Sequence, residues 1–152
     1  MKLSALILAA ALIVPSAACG GGAADAESGA EPWGPNLVLP ADLAKELAGA
    51  DKPVVVCTAP LFLYRMAHIP GAVLRGPASD PGVLIELVSW AKTLPKSTNL
   101  VIYCGCCPMN DCPNLRPAYR ALKDVGLAKL RVLILPDSFR ADWIERGYPI
   151  ER

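Results

Sequence analysis

The sequence carries no excess of charge of either sign: fifteen Lys and Arg stand against fourteen Asp and Glu, a formal net charge of +1. That balance excludes a whole-chain basic footprint for nucleic acid and a polybasic membrane patch. Charged residues are few (19%) and aromatic residues fewer (6%). No internal repeat is visible, and no apolar run reaches the roughly 20 residues that a membrane-spanning helix needs. Yet 53% of the chain is hydrophobic, so it has enough apolar surface to fold and is not intrinsically disordered. At 152 residues it has the length of about one domain. What is abundant is proline (15), glycine (12) and cysteine (6). Six cysteines in so short a chain mean disulfides, a metal site or thiol chemistry, and the compartment decides among them.

The N-terminus speaks to the compartment. Met1-Lys2 precedes an apolar run from Leu3 to Val14, then Pro15-Ser16-Ala17-Ala18-Cys19. A basic start, a short apolar run and a small-residue exit are the layout of a secretory signal peptide over residues 1–18. Cys19 stands where a bacterial lipobox puts the lipidated cysteine, and Gly20-Gly21-Gly22 then supplies a tether. The alternative is ordinary cleavage after Ala18, which leaves Cys19 as a free N-terminal residue. Cleavage removes Lys2 and leaves fourteen side chains of each sign. The expectation is an exported cell-envelope protein, held at the membrane by lipid and facing the periplasm or exterior. Residues 19–35, rich in Gly, Ala, Glu and Pro, read as a flexible linker.

From residue 36 onward, strand-like and helix-like segments alternate. Strand candidates are Leu37–Leu39, Pro53–Cys57, Ala72–Leu74, Leu100–Cys104 and Arg131–Leu135; the second, fourth and fifth are continuous apolar runs, as in strands covered on both faces. Leu43 and Leu47 share one helical face, and Val83, Leu84, Leu87, Val88 and Ala91 form the stripe of another. Leu115, Ala118, Tyr119, Leu122 and Val125 form a third, with Gly126 as its C-cap candidate. A last helix is expected over Phe139–Arg146. This alternation predicts an α/β domain over 36–152: a five-stranded, mainly parallel sheet with helices on both faces. Ligand crevices of such sheets lie beyond the carboxyl ends of the strands, where Cys57 and Cys104 fall.

His68-Ile69-Pro70-Gly71-Ala72, the Val101-Ile102-Tyr103-Cys104 exit, a helix opening near Arg116, and Trp143 with Gly147-Tyr148-Pro149 occur in the order found in rhodanese-like domains. Residues 36–152 resemble that sulfurtransferase family. The resemblance implies that Cys104 carries a persulfide during sulfur transfer, as in thiosulfate sulfurtransferases, with no cofactor required. The physics of the position agrees: a thiol between a strand end and a helix start faces backbone N–H groups and the positive end of the helix dipole, which favour the thiolate. The same N–H groups would hold a small anionic sulfur donor, with Arg116 and Arg120 as supplementary cations, and a thiol acceptor would later remove the sulfur.

The chain departs from the family pattern in three places. Eleven residues separate Cys104 from Arg116, where the family has a compact loop. Cys57-Thr58-Ala59 replaces the usual Asp-Val-Arg, and Pro136-Asp137 replaces a pair of glycines. The enlarged loop holds Cys104, Cys106, Cys107 and Cys112, four thiols within nine residues. Three readings compete. Cys104 accepts sulfur and Cys106, Cys107 or Cys112 resolves it. Alternatively, Cys104 and Cys107 chelate Cu or Zn, with Cys112 and either Cys106 or Cys57 completing a thiolate set. In the third reading disulfides such as Cys106–Cys112 close the loop and leave a non-catalytic interaction module. His68, the only histidine, is expected to order its turn by hydrogen bonding, and Trp90 and Trp143 to be core or groove-covering residues.

Overall fold

Runs of apolar and β-branched residues pair side by side into five strands: β1 Leu37–Val38, β2 Val54–Cys57, β3 Val73–Leu74, β4 Asn99–Tyr103 and β5 Lys129–Leu133. In this computed structural model, which describes residues 33–152, they form one sheet in the order β1-β5-β4-β2-β3. Residues 1–32, on which the expected export segment 1–18, Cys19 and most of the expected linker fall, lie outside the described residues. All four strand pairings are parallel, so the sheet is wholly rather than mainly so. β2 starts one residue after Pro53, which lacks the N–H a ladder needs. β5 starts two residues earlier than Arg131, because Lys129 and Leu130 pair with Asn99 and Leu100.

Successive strand residues point to opposite faces. Leu100, Val101, Ile102 and Tyr103 are all at most 1% exposed, so both faces of β4 are covered. Among the described residues four α-helices form: α1 Pro40–Ala48, α2 Leu61–Met66, α3 Pro81–Ala91 and α4 Leu115–Val125. α3 and α4 pack together, and α4 also lies on β4 and β5. α4 buries Leu115, Ala118, Tyr119, Leu122 and Val125, and Gly126 ends it in the left-handed region at φ +75°. Asp80 caps α3 by accepting from the N–H groups of Gly82 (2.8 Å) and Val83 (3.1 Å).

Three features depart from the sequence-based expectation. The six residues of α2 have no fully buried member and so show no helical stripe. The last helix is a π-helical segment, Arg140–Ile144, anchored by buried Trp143. Trp33, placed by composition at the end of the linker, is 1% exposed. Its ring meets Tyr119 edge-on at 5.3 Å, and the Tyr119 hydroxyl donates to its carbonyl (3.2 Å). The packed region thus includes residue 33.

The order of strands also locates the crevice. From β2 the chain moves to β3 on one side; from β4 it moves to β5 on the other. The loops leaving β2 and β4 therefore diverge, and Cys57 lies opposite Tyr103, one residue before Cys104.

Candidate functional site: a thiol cluster at the exit of β4

Cys104 leaves β4 only 2% exposed. The next residue, Gly105, passes so close to Phe139 that a Cβ there would lie 3.0 Å from the Phe139 Cβ. The loop then turns through Pro108 and a 3-10 turn, Met109–Asp111. Met109 is buried and its N–H donates to the Leu135 carbonyl (3.0 Å), pinning the loop at mid-span. This turn brings Cys112, 1% exposed, back to the sulfurs ahead of it.

The sulfur of Cys106 lies 3.2 Å from that of Cys104, 2.9 Å from that of Cys107 and 3.6 Å from that of Cys112. The Cys104, Cys106 and Cys112 sulfurs all fall within 4.8 Å of one another. None of the five described cysteines is in a disulfide. The structure thus unites the four loop cysteines around Cys106, the exposed member. Cys57, also offered as a ligand, is buried at the end of β2 and stands outside the three-sulfur group.

The thiol held at the start of α4 is Cys112. Backbone N–H groups of Asn114 and Leu115 favour its thiolate, but the hydrogen bond to Cys104, together with burial, outweighs them and pushes the Cys112 thiol up. The length of the loop is what brings Cys112 to these N–H groups. Cys106 is pushed up to about 12, first by burial and then by its hydrogen bond with Cys107, while Cys104 pulls the other way. Burial is the largest cause of the upward shifts of Cys107 and Cys57.

Asn114, which sequence reasoning passed over, is 3% exposed and faces the sulfurs. Its Oδ1 accepts from the Ser79 N–H (3.0 Å), which turns its Nδ2 toward Cys104 and Cys106, each 3.7 Å away. The only sequence signal was a polar residue just before a helix, the position of an N-cap; its side chain makes no cap hydrogen bond. Arg116 is directed elsewhere. Its Nε and Nη2 both donate to the Asn110 carbonyl (3.3 Å), and its guanidinium lies 5.8 Å from the centre of the Trp33 ring. Arg120 is exposed on the next turn of α4.

His68 performs the turn-ordering role expected of it. Its Nδ1 lies 2.9 Å from the Tyr64 carbonyl, its ring stacks on Tyr64 at 3.8 Å, and its backbone forms a bridge with Glu151. Trp143 is core, its Nε1 donating to the Pro149 carbonyl (2.8 Å), while the half-buried Trp90 ring lies 4.8 Å from the Arg75 guanidinium. Beside the thiols opens a cleft of about 430 Å³, lined by Cys57, Tyr64, Tyr103, Gly105, Phe139 and Arg140 among others. Through Gly105 it borders the chain segment that carries Cys104 and Cys106.

Solved structures similar to this chain in fold include a rhodanese-related protein from Thermoplasma volcanium. It is 18% identical with a TM-score of 0.55, over 76% of this chain and 97% of that one. The rhodanese-like domain of the Alr3790 protein from Anabaena sp. is 21% identical with a TM-score of 0.55, over 76% and 78%. A thiosulfate sulfurtransferase from Pseudomonas aeruginosa is 18% identical with a TM-score of 0.53; the match covers 76% of this chain but 19% of the larger one. No protein-family model and no curated protein matches the chain. The likeness establishes a rhodanese-like fold.

Proposed function

We propose that this rhodanese-like domain handles sulfane sulfur through Cys104. The observation that carries the reading is the position of that thiol: at the exit of the central strand β4, beside the diverging loops, free of any disulfide and 3.2 Å from a second thiol. The Cys104 thiolate attacks the outer sulfur of a small anionic donor such as thiosulfate. The donor S–S bond breaks, sulfite leaves with its electron pair, and Cys104 holds a persulfide. A thiol acceptor then takes the outer sulfur. The fold shared with a thiosulfate sulfurtransferase supports this reaction class. Arg116, at the start of α4, and Arg120, one turn further along, are the cations assigned to the donor, each after leaving its present contacts, for Arg116 the Asn110 carbonyl. On the residues of 1–19 alone, we place the protein in the bacterial cell envelope, lipid-anchored at Cys19.

Mass spectrometry of the membrane-extracted full chain before and after thiosulfate tests this reading. Sulfite in solution, with sulfur caught at Cys104 on rapid quenching, is the expected result. An unreactive Cys104, or sulfite release that persists in Cys104→Ser, would overturn it.

A second reading has its own observation. Three sulfurs within 4.8 Å, with Cys107 adjacent, form a soft thiolate set suited to Cu(I) or Zn(II). Native and denaturing mass spectra separate the two: metal released on denaturation supports coordination, whereas turnover supports sulfur chemistry. Because both use Cys104, a bound metal would block persulfide formation.

A further inference from the structure

We propose that Cys106 resolves the Cys104 persulfide within the chain, so that the site reduces sulfane sulfur and releases sulfide instead of only passing sulfur to an acceptor. This inference rests on the Cys104 persulfide proposed above. Its basis is the geometry of one pair of sulfurs. Cys104 and Cys106 lie 3.2 Å apart, within the roughly 3–3.5 Å range of a near-attack arrangement. A single donor, Nδ2 of Asn114, reaches both at 3.7 Å and is itself fixed by the Ser79 N–H. Neither sulfur can turn away without losing that shared contact.

The other thiols are less well placed. Cys112 is 1% exposed and lies at the start of α4, a hydrogen-bond partner of Cys104. Cys107 reaches the group through Cys106, and Cys57 belongs to the neighbouring cleft. Cys106 alone combines contact with Cys104 and exposure to solvent.

The chemistry balances without an external oxidant, because the donor supplies the oxidised sulfur. In the persulfide anion, the Cys104 Sγ is bonded to the outer sulfur. The Cys106 sulfur attacks this Sγ, forming the Cys104–Cys106 disulfide and breaking the persulfide bond. The outer sulfur leaves with the electron pair and takes the Cys106 proton as HS⁻. The protein sulfurs are oxidised to a disulfide and the outer sulfur is reduced to sulfide. A dithiol reductant, entering at the exposed Cys106 sulfur, returns both thiols for another cycle.

The test uses the full chain, reduced, freed of reductant and given thiosulfate with no added thiol. The expected result is one equivalent each of sulfite and sulfide, a protein lighter by two hydrogens, and linked peptides carrying Cys104 and Cys106. In Cys106→Ser and Cys106→Ala, sulfite still appears, the protein gains the mass of one sulfur at Cys104, and sulfide falls by about tenfold or more. A stable persulfide in the unmodified chain overturns the inference, as does undiminished sulfide from both variants. Absence of sulfite from every form instead overturns the persulfide reading on which it rests.

Discussion

Replacing Asn114 by Ala removes a strut between the start of α3 and the thiol loop, and its cost can be worked from the contacts. The carboxamide is 3% exposed and its Oδ1 accepts from the Ser79 N–H at an ordinary 3.0 Å. Such a bond contributes about 1 kcal/mol net, rising to about 3 kcal/mol if the loss leaves the N–H buried and unpaired. The two N–H···S contacts, each 3.7 Å, are long and add little to stability; their role is to orient sulfur. The expected loss is therefore about 1–3 kcal/mol, with about 3–5 °C in Tm for each kcal/mol in a domain of this size. Urea unfolding of the reduced protein, followed by tryptophan fluorescence, measures it. Alkylation of Cys104 and Cys106 in the folded state should quicken in the same variant. A midpoint within about 0.5 kcal/mol of the parent, with unchanged alkylation rates, would refute both the strut and its orienting role.

Trp33→Ala should cost about 3–5 kcal/mol, since the ring is 1% exposed and packs on Tyr119; an unchanged urea midpoint would show that it does not belong to the core. Gly76→Ala would drive a Cβ into the Thr58 and Ala59 backbone just beyond β2 and should cost about 1–3 kcal/mol, again by urea unfolding, unless that exit gives way freely. Stability should also fall above pH 9. Cys57, Cys106, Cys107 and Cys112 are held above their ordinary 9.0, Cys106 at about 12, so the folded chain keeps protons that the unfolded chain gives up. The associated stability is complete below pH 9 and is lost as pH rises toward 12. Anaerobic unfolding between pH 8 and 10.5 checks the sign, and a rise in stability over that interval would contradict it.

The sheet was legible because β2 and β4 are uninterrupted apolar runs, and α4 because Leu115, Ala118, Tyr119, Leu122 and Val125 repeat at helical spacing before Gly126. Position in the chain was enough to expect Cys104 beyond a strand end. The partner of the α4 start was not legible, since which of several thiols reaches it depends on how an eleven-residue span turns. Met109 decides that turn by burying its side chain and bonding to Leu135, a long-range contact with no local pattern. The same holds for Asn114, whose partner Ser79 lies 35 positions away, and for Trp33, whose partner Tyr119 is distant in sequence. α2 escaped notice because Leu61, Phe62 and Leu63 supply consecutive apolar residues without a polar face to set a period.

The pin at Met109 divides the connection from β4 to α4 into two short arcs, each ending on a rigid element. Closure entropy grows only with the logarithm of span, about 0.6 kcal/mol for each doubling, so lengthening such a connection burdens the sheet very little. The span itself therefore weighs little on the frame; what ties the loop to β4, β5 and α4 is its anchors, the buried Cys104, Met109 and Cys112.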